Sequence, residues 1–419
     1  MTSRERVLAA LNHREPDRVP IDLGGSFVTG IAAQSLDRLR RRLGLEDRPV
    51  KVYDVMQMLG EVDLDLAERF QVDVLPVEPP SLTLSVRRGG WKPWRLFDGT
   101  NVLVPGQFNV AVSPEGDWLL RPEPVEGRPD GPPIARMPKD GFYFDADDYG
   151  GWNPDFKPPD LARLRANLKG WLLSDETLRY MQDHARALRR STDKALLLGS
   201  WGATGMHYVG KLVEFWCLLA EDPAYVRDLF MLSTEAAIKN LEMMWQAIGT
   251  DVDIIAITGL DYGTQRREWF SPETFREVYV PALREQFRWV HEHTPWKIFE
   301  HSCGSIPNLI GDLVDAGLDA LNPVQTSAAG MDPVWLKKTF GDRLTFWGGG
   351  VETQSTLTFG TPDEVRAEVA ERIRIFAPGG GFVFNPVHNI QANTPPENII
   401  AAYETALAAG RYPISRSNP

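Results

Sequence analysis

Apolar and polar positions along this chain follow two periods, and the changes between them mark out most of its elements. Short continuous apolar runs, as expected for strands buried on both faces, lie at residues 19–23, 74–77, 195–199, 252–257, 297–300, 320–322, 344–347 and 382–384. Between the later runs, apolar residues recur at helical intervals and predict helices over 212–219, 225–245, 272–291, 306–316, 362–376 and 396–409. Further helices are predicted over 36–43, with Ser35 as N-cap, and over 62–70. The chain opens on Thr2-Ser3-Arg4-Glu5, with capping-box spacing, followed by Val7, Leu8 and Leu11. Thr361-Pro362-Asp363-Glu364 and Thr394-Pro395-Pro396-Glu397 each combine an N-cap threonine, proline and glutamate in the order that starts a helix.

Eight apolar strands separated by helices predict the α/β class and a (β/α)8 TIM barrel, with an open doubly wound sheet as the alternative. The barrel is expected to take the whole of 1–419 as one domain. Residues 81–158 break the pattern. There Trp91, Trp94, Trp118 and Trp152 alternate with the turn signals Asp98-Gly99 and Glu115-Gly116-Asp117, which predicts a β-rich insertion beside or over the barrel. The tail from Tyr412 is expected to fray.

Composition removes several function classes. The net charge of -12 argues against nucleic acid as a partner, since binding phosphates needs an excess of Lys and Arg. Two cysteines exclude a disulfide framework, and Cys217, in an apolar helical run, reads as core. No apolar stretch of about 18 residues is present to span a bilayer, so a cytoplasmic protein with no membrane partner is expected.

Chemistry gathers where the strands end, which in a parallel barrel is a single rim. His301 and Cys303 follow the fifth strand two residues apart, so extended backbone points both the same way. His388 follows the eighth. Two imidazoles and a thiolate with one open position suit a catalytic zinc; the alternative is a buried thiol beside a hydrogen-bonded histidine. Asp261 reads as a general base, metal ligand or substrate anchor, or as a loop carboxylate making a turn bond. Glu352 reads as a catalytic acid or as the cap of a following turn. Candidates for substrate contact are Trp201, Tyr262, Gln265, Asn322, Gln325 and Trp347, with core packing the alternative for the aromatic ones. Gly348-Gly349-Gly350 offers close approach of backbone to a ligand. No G-x-S-x-G elbow, P-loop or dinucleotide fingerprint occurs.

Together these segments resemble the uroporphyrinogen decarboxylase superfamily, which includes corrinoid-dependent methyltransferases. The resemblance rests on Arg4 to His13 with Pro16-Asp17-Arg18-Val19-Pro20, on Leu260 to Gln265 followed by Ser271-Pro272-Glu273, on His301-Ser302-Cys303-Gly304 through Asp319 to Gln325, and on Gly379 to Asn398. It covers nearly the whole chain outside the Trp-rich insertion and implies a barrel. The true decarboxylase carries an arginine-rich loop near its N-terminus, whereas Asp22-Leu23-Gly24-Gly25-Ser26-Phe27 has no arginine. The methyltransferase branch holds zinc through His-x-Cys and a later Cys; His301 and Cys303 match, and His388 stands where the later Cys is expected.

The resemblance therefore implies a zinc-dependent methyltransferase that demethylates a small methylated substrate and passes the methyl to a corrinoid (cobalamin). Because the chain lacks a D-x-H-x-x-G corrinoid-binding signature, that cofactor is expected on a separate carrier protein or free. A homodimer is compatible with the sequence. The alternative is a decarboxylase acting on a carboxylate-bearing substrate, with Arg266 and Arg267 as its cationic support; a non-catalytic tetrapyrrole-binding module is the third reading.

Overall fold

The computed structural model describes residues 1–122, 131–146, 153–200 and 202–414. Seven parallel strands form one sheet in the spatial order Val74–Val77, Ala195–Gly199, Ile254–Gly259, Lys297–His301, Ala320–Asn322, Thr345–Trp347 and Phe382–Val383. Residues 19–23 supply the eighth stave. Ile21 bridges Phe384 in parallel, the Asp22 N–H donates to the Phe384 carbonyl at 2.8 Å, and the Asp73 N–H donates to the Ile21 carbonyl at 2.7 Å. The ring closes, and the TIM barrel holds over the open sheet. Pro20 has no N–H to give the ladder, a reason for this stave to be reduced to a bridge.

Strand alternation splits the core into two layers. Val74, Leu197, Ile254, Ala256, Phe299, Trp347 and others face the barrel axis. Leu196, Leu198, Ile255, Ile298, Leu321 and Phe346 face the surrounding helices. The helix Ser3–Leu11 carries the expected capping box and contributes Val7 and Leu11 to the inner layer. The Ala10 carbonyl accepts the Gly381 N–H at 3.0 Å, so this helix plugs the end where the strands begin. Beside it, the fully buried Asp73 carboxylate takes Arg6 at 2.7 Å and Arg18 at 2.6 Å.

Several boundaries differ from the sequence reading. Ser35 lies inside the helix Ala33–Arg42, whose cap is Ala32, and its hydroxyl donates to the Gln391 carbonyl at 2.6 Å. Thr361 caps Pro362–Phe376 as expected, but Pro395 is the cap of Pro396–Ala409, and the Thr394 hydroxyl bonds Thr358 instead. The expected helix over 272–291 is interrupted by a π turn, Phe275–Tyr279, before continuing as Val280–His293. Cys217 is exposed, because Phe215, Leu218 and Leu219 take the buried face of its helix. Tyr412 is held rather than frayed, its hydroxyl donating to the Ala377 carbonyl at 2.7 Å; the rest of the expected frayed tail, 415–419, lies outside the described residues.

The insertion is built from strands. Lys92–Arg95 and Asn101–Val104 form a hairpin around Asp98-Gly99, and Val110–Val112, Trp118–Leu120, Ala135–Met137 and Asp145–Ala146 form a meander. Trp118 stacks on Phe97 at 4.1 Å and meets Trp94 edge-on at 5.3 Å. Asn101–Val104 also pairs in parallel with Val50–Asp54, a strand the sequence reading left unassigned, which ties the insertion to the main body. Trp152 lies outside the described residues. Among the described residues no helix is long and apolar enough to cross a membrane.

Candidate metal centre

The strand Lys297–His301 turns Phe299 and His301 inward and Glu300 outward. His301 emerges at the rim, and the chain then bends sharply at Gly304, whose φ is +95°. A side chain there would fall on the Gly263 carbonyl, so only glycine lets this turn lie against the neighbouring loop. The turn is held by amides and carboxylates. The Cys303 N–H donates to Asp261 Oδ1 at 2.8 Å, and the Gly304 N–H to Gln325 Oε1 at 2.8 Å. Gln325 in turn donates to Gln265 Oε1 at 2.7 Å.

Within this frame one ligand atom each from His301, Cys303 and His388 lies within 4.8 Å of the others. Cys303 Sγ and His301 Nε2 are 3.3 Å apart. Tetrahedral zinc with ordinary Zn–N and Zn–S bonds separates its ligands by about 3.3–3.6 Å, so that pair already has the spacing of two ligands on one ion. The Asn322 amide donates to the Trp347 carbonyl at 3.0 Å, which leaves its oxygen facing His301 Nδ1 at 2.6 Å. His301 therefore carries its proton on Nδ1 and presents the Nε2 lone pair to the cluster.

Protonation states agree with that use. Burial holds His301 below the usual histidine range, against the opposing pull of Asp261. Burial, helped by the charge of His301, pushes His388 down to about 4. Both imidazoles are neutral donors at neutral pH. Burial and the charge of Asp261 drive the Cys303 thiol well upward, so without a cation it stays protonated.

The remaining candidates are distributed differently. Asp261 is half-exposed at the edge of the cluster, 3.9 Å from His301 Nε2. Glu352 is buried outside the three-residue cluster; its Oε1 accepts the Gln354 N–H at 3.3 Å at the start of the turn 353–355, as the capping alternative expects, and its Oε2 has no hydrogen-bond partner among the described residues. Asn322, Gln325 and Gln265 brace the His301 turn. Tyr262, expected at substrate, is fully buried and donates to Glu300 Oε1 at 2.6 Å. Burial pushes Glu300 up to about 8 despite that bond. Trp347 is also fully buried, edge-on to Phe299 at 5.2 Å, and its indole N–H donates to Asp22 at 2.8 Å. Trp201 lies outside the described residues. Gly350 meets the Phe384 ring of its own barrel, so its approach is to protein rather than ligand. Arg266 and Arg267 are exposed.

Two features escaped the sequence reading. Asp22 is fully buried, and burial pushes its carboxyl up to about 6, opposed by the Trp347 and Gly25 hydrogen bonds; its place at the end of a strand was the available signal. A cavity of about 530 Å³ lies beside His388 and is lined in part by Gln57, Asn389 and Phe359. No local pattern announces such a wall, because its residues come from separate loops.

The profile described as Uroporphyrinogen decarboxylase (URO-D) matches residues 150–408. The chain belongs to the uroporphyrinogen decarboxylase family. A relative, the uroporphyrinogen decarboxylase of Thioalkalivibrio sulfidiphilus, is 26% identical over 283 residues, covering 64% of this chain and 75% of its own length. The match to uroporphyrinogen decarboxylase from Chlorobium phaeobacteroides is 27% identical over 135 residues, 31% of this chain and 36% of that protein. Among solved structures, a methyltransferase from Methanosarcina mazei superposes over 97% of this chain and 99% of its own with a TM-score of 0.54 at 17% identity, a likeness of fold. The relatives in sequence are thus named decarboxylases, and the methyltransferase shares this chain's fold.

Proposed function

We propose that this URO-D family member is a zinc-dependent methyltransferase that demethylates a small methylated compound and delivers the methyl to a corrinoid. The convergence of His301, Cys303 and His388 within 4.8 Å carries the reading. The donor set fits the metal: two neutral imidazoles, one thiol that ionises only beside a cation, and room for a fourth ligand. Bound there, zinc supplies a Lewis acid for the heteroatom that bears the methyl. Asn322 fixes the His301 tautomer, and Asp261 holds the Cys303 turn in place. Asp261, half-exposed at the edge of the cluster, is the group placed to exchange a proton with the heteroatom once its methyl has left. Trp347 and Phe299 close the barrel beneath and keep water from that side. The corrinoid arrives as a co-substrate, free or on a carrier protein.

A decarboxylase reading is favoured by the names of the relatives. It calls for cations around a carboxylate-bearing substrate. The loop 22–27 has none, and Arg266 and Arg267 point into solvent. Elemental analysis and methyl transfer separate the two. We expect about 1 zinc per chain in the purified protein, lost in His301→Ala, Cys303→Ala and His388→Ala. Incubation with reduced cobalamin and methylated compounds should give the absorption spectrum of methylcobalamin. A metal-free protein with full lyase activity would overturn the proposal.

A further inference from the structure

The cavity beside His388 carries chemistry of its own. It holds about 530 Å³, enough for a compound larger than a one-carbon donor. Among the described residues the only Phe and Tyr side chains left exposed are Phe142, Tyr143 and Phe359, and all three line this cavity. Phe142 and Tyr143 belong to the insertion, anchored by the Phe144 N–H donating to the Met56 carbonyl at 2.7 Å. Phe359 ends the short helix after the seventh stave. Exposed rings from two separate parts of the chain converging on one hollow make a surface for a flat apolar body.

The opposite wall is amide. Asn389 donates to Gln57 Oε1 at 2.7 Å and to the Phe27 carbonyl at 2.9 Å, and accepts the Gly30 N–H at 2.5 Å. Gln57 donates to the same Phe27 carbonyl at 3.1 Å. These amides hold one another in fixed orientations without any charge. No Asp, Glu, Lys or Arg lies among the described lining residues. A carboxylate held against this wall, on the side away from His388, would leave water and meet no cationic side chain.

We infer that this cavity selects a neutral methylated compound with a flat apolar body, of the methoxyarene class, and discriminates against its carboxylated analogues. The inference rests on the methyl-transfer reading for the methyl group alone; the preference for a neutral flat body stands on the wall. It assigns substrate choice jointly to the insertion and to the segments after the last two staves.

Calorimetric titration of the full-length protein with methoxybenzene and with methoxybenzoate tests it. The neutral ether should bind at least about 10-fold more tightly, and Phe359→Ala should weaken it several-fold. Gln354→Lys, which places a cation on the lining, should strengthen methoxybenzoate binding. Equal affinities, a preference of the wild type for the carboxylate, or no saturable binding of either compound overturns the inference. Repeating the titration on His301→Ala separates the two proposals. Retained preference in His301→Ala, which has lost its metal, is expected of the wall alone; the same preference in a wild-type protein that never forms methylcobalamin sinks only the methyl-transfer reading, while methyl transfer by the wild type from a small aliphatic donor without arene preference sinks only this one.

Discussion

Asn322 shows how much a single amide decides at this centre. Its nitrogen is committed to the Trp347 carbonyl and its oxygen to His301 Nδ1, so it dictates which imidazole nitrogen faces the cluster. Asn322→Ala should lower zinc affinity about 10–100-fold with unchanged helix content, measured by competition against a chromogenic chelator. Asp22 gives a pH signature. Its folded value of about 6 lies above the ordinary aspartate value of 3.8, so the stability it contributes is fully present below about 3.8 and is lost as pH rises through about 6. The loss amounts to about 3 kcal/mol. Asp22→Asn should therefore remove this component, so that the difference in urea midpoint between wild type and variant shifts against the wild type from pH 4 to pH 7; a difference that stays constant across that window would contradict the assignment.

At the scale of elements, the turn after the fifth stave is the part on which the centre depends. The approach of Gly304 to Gly263 sets where Cys303 points. Gly304→Ala should leave the circular dichroism of the barrel intact and abolish stoichiometric zinc, read by elemental analysis. This element was partly legible beforehand: a strand followed by His301-Ser302-Cys303-Gly304 put two donors on one face. Tyr262 was legible only as one of two readings, substrate contact or core packing. Its neighbours Asp261 and Gly263 suggest a mouth loop, yet Phe270, Phe275 and Tyr279 enclose its ring. The π turn that carries Phe275 and Tyr279 has no signature in apolar periodicity, since one extra residue per turn shifts the face without changing composition.

For the whole molecule, closure is the event that makes a site. Asp73 joins the plug helix through Arg6, the first stave through Arg18 and the Ile21 N–H, and its own strand through the backbone. Asp73→Ala leaves two guanidinium groups without their buried partner and should cost about 3–5 kcal/mol in denaturant unfolding. Zinc binding should survive at low denaturant, because the network lies at the opposite end of the barrel from His301. The insertion takes part in the same assembly, pairing Asn101–Val104 with Val50–Asp54 and bringing Phe142 and Tyr143 to the rim.

By itself the sequence determined the eight staves, most of the helices between them and the three donors at the strand ends. Those properties are local: burial on both faces writes a continuous apolar run, and a residue just past that run lies at the rim whatever its neighbours are. Tertiary structure alone decided the tautomer of His301, the enclosure of Tyr262, the weakened acidity of Asp22 and the uncharged cavity against His388. Each of these arises where segments tens or hundreds of residues apart meet. Hydrogen-bond partners and desolvation are set at that meeting, and no pattern within a single segment records it.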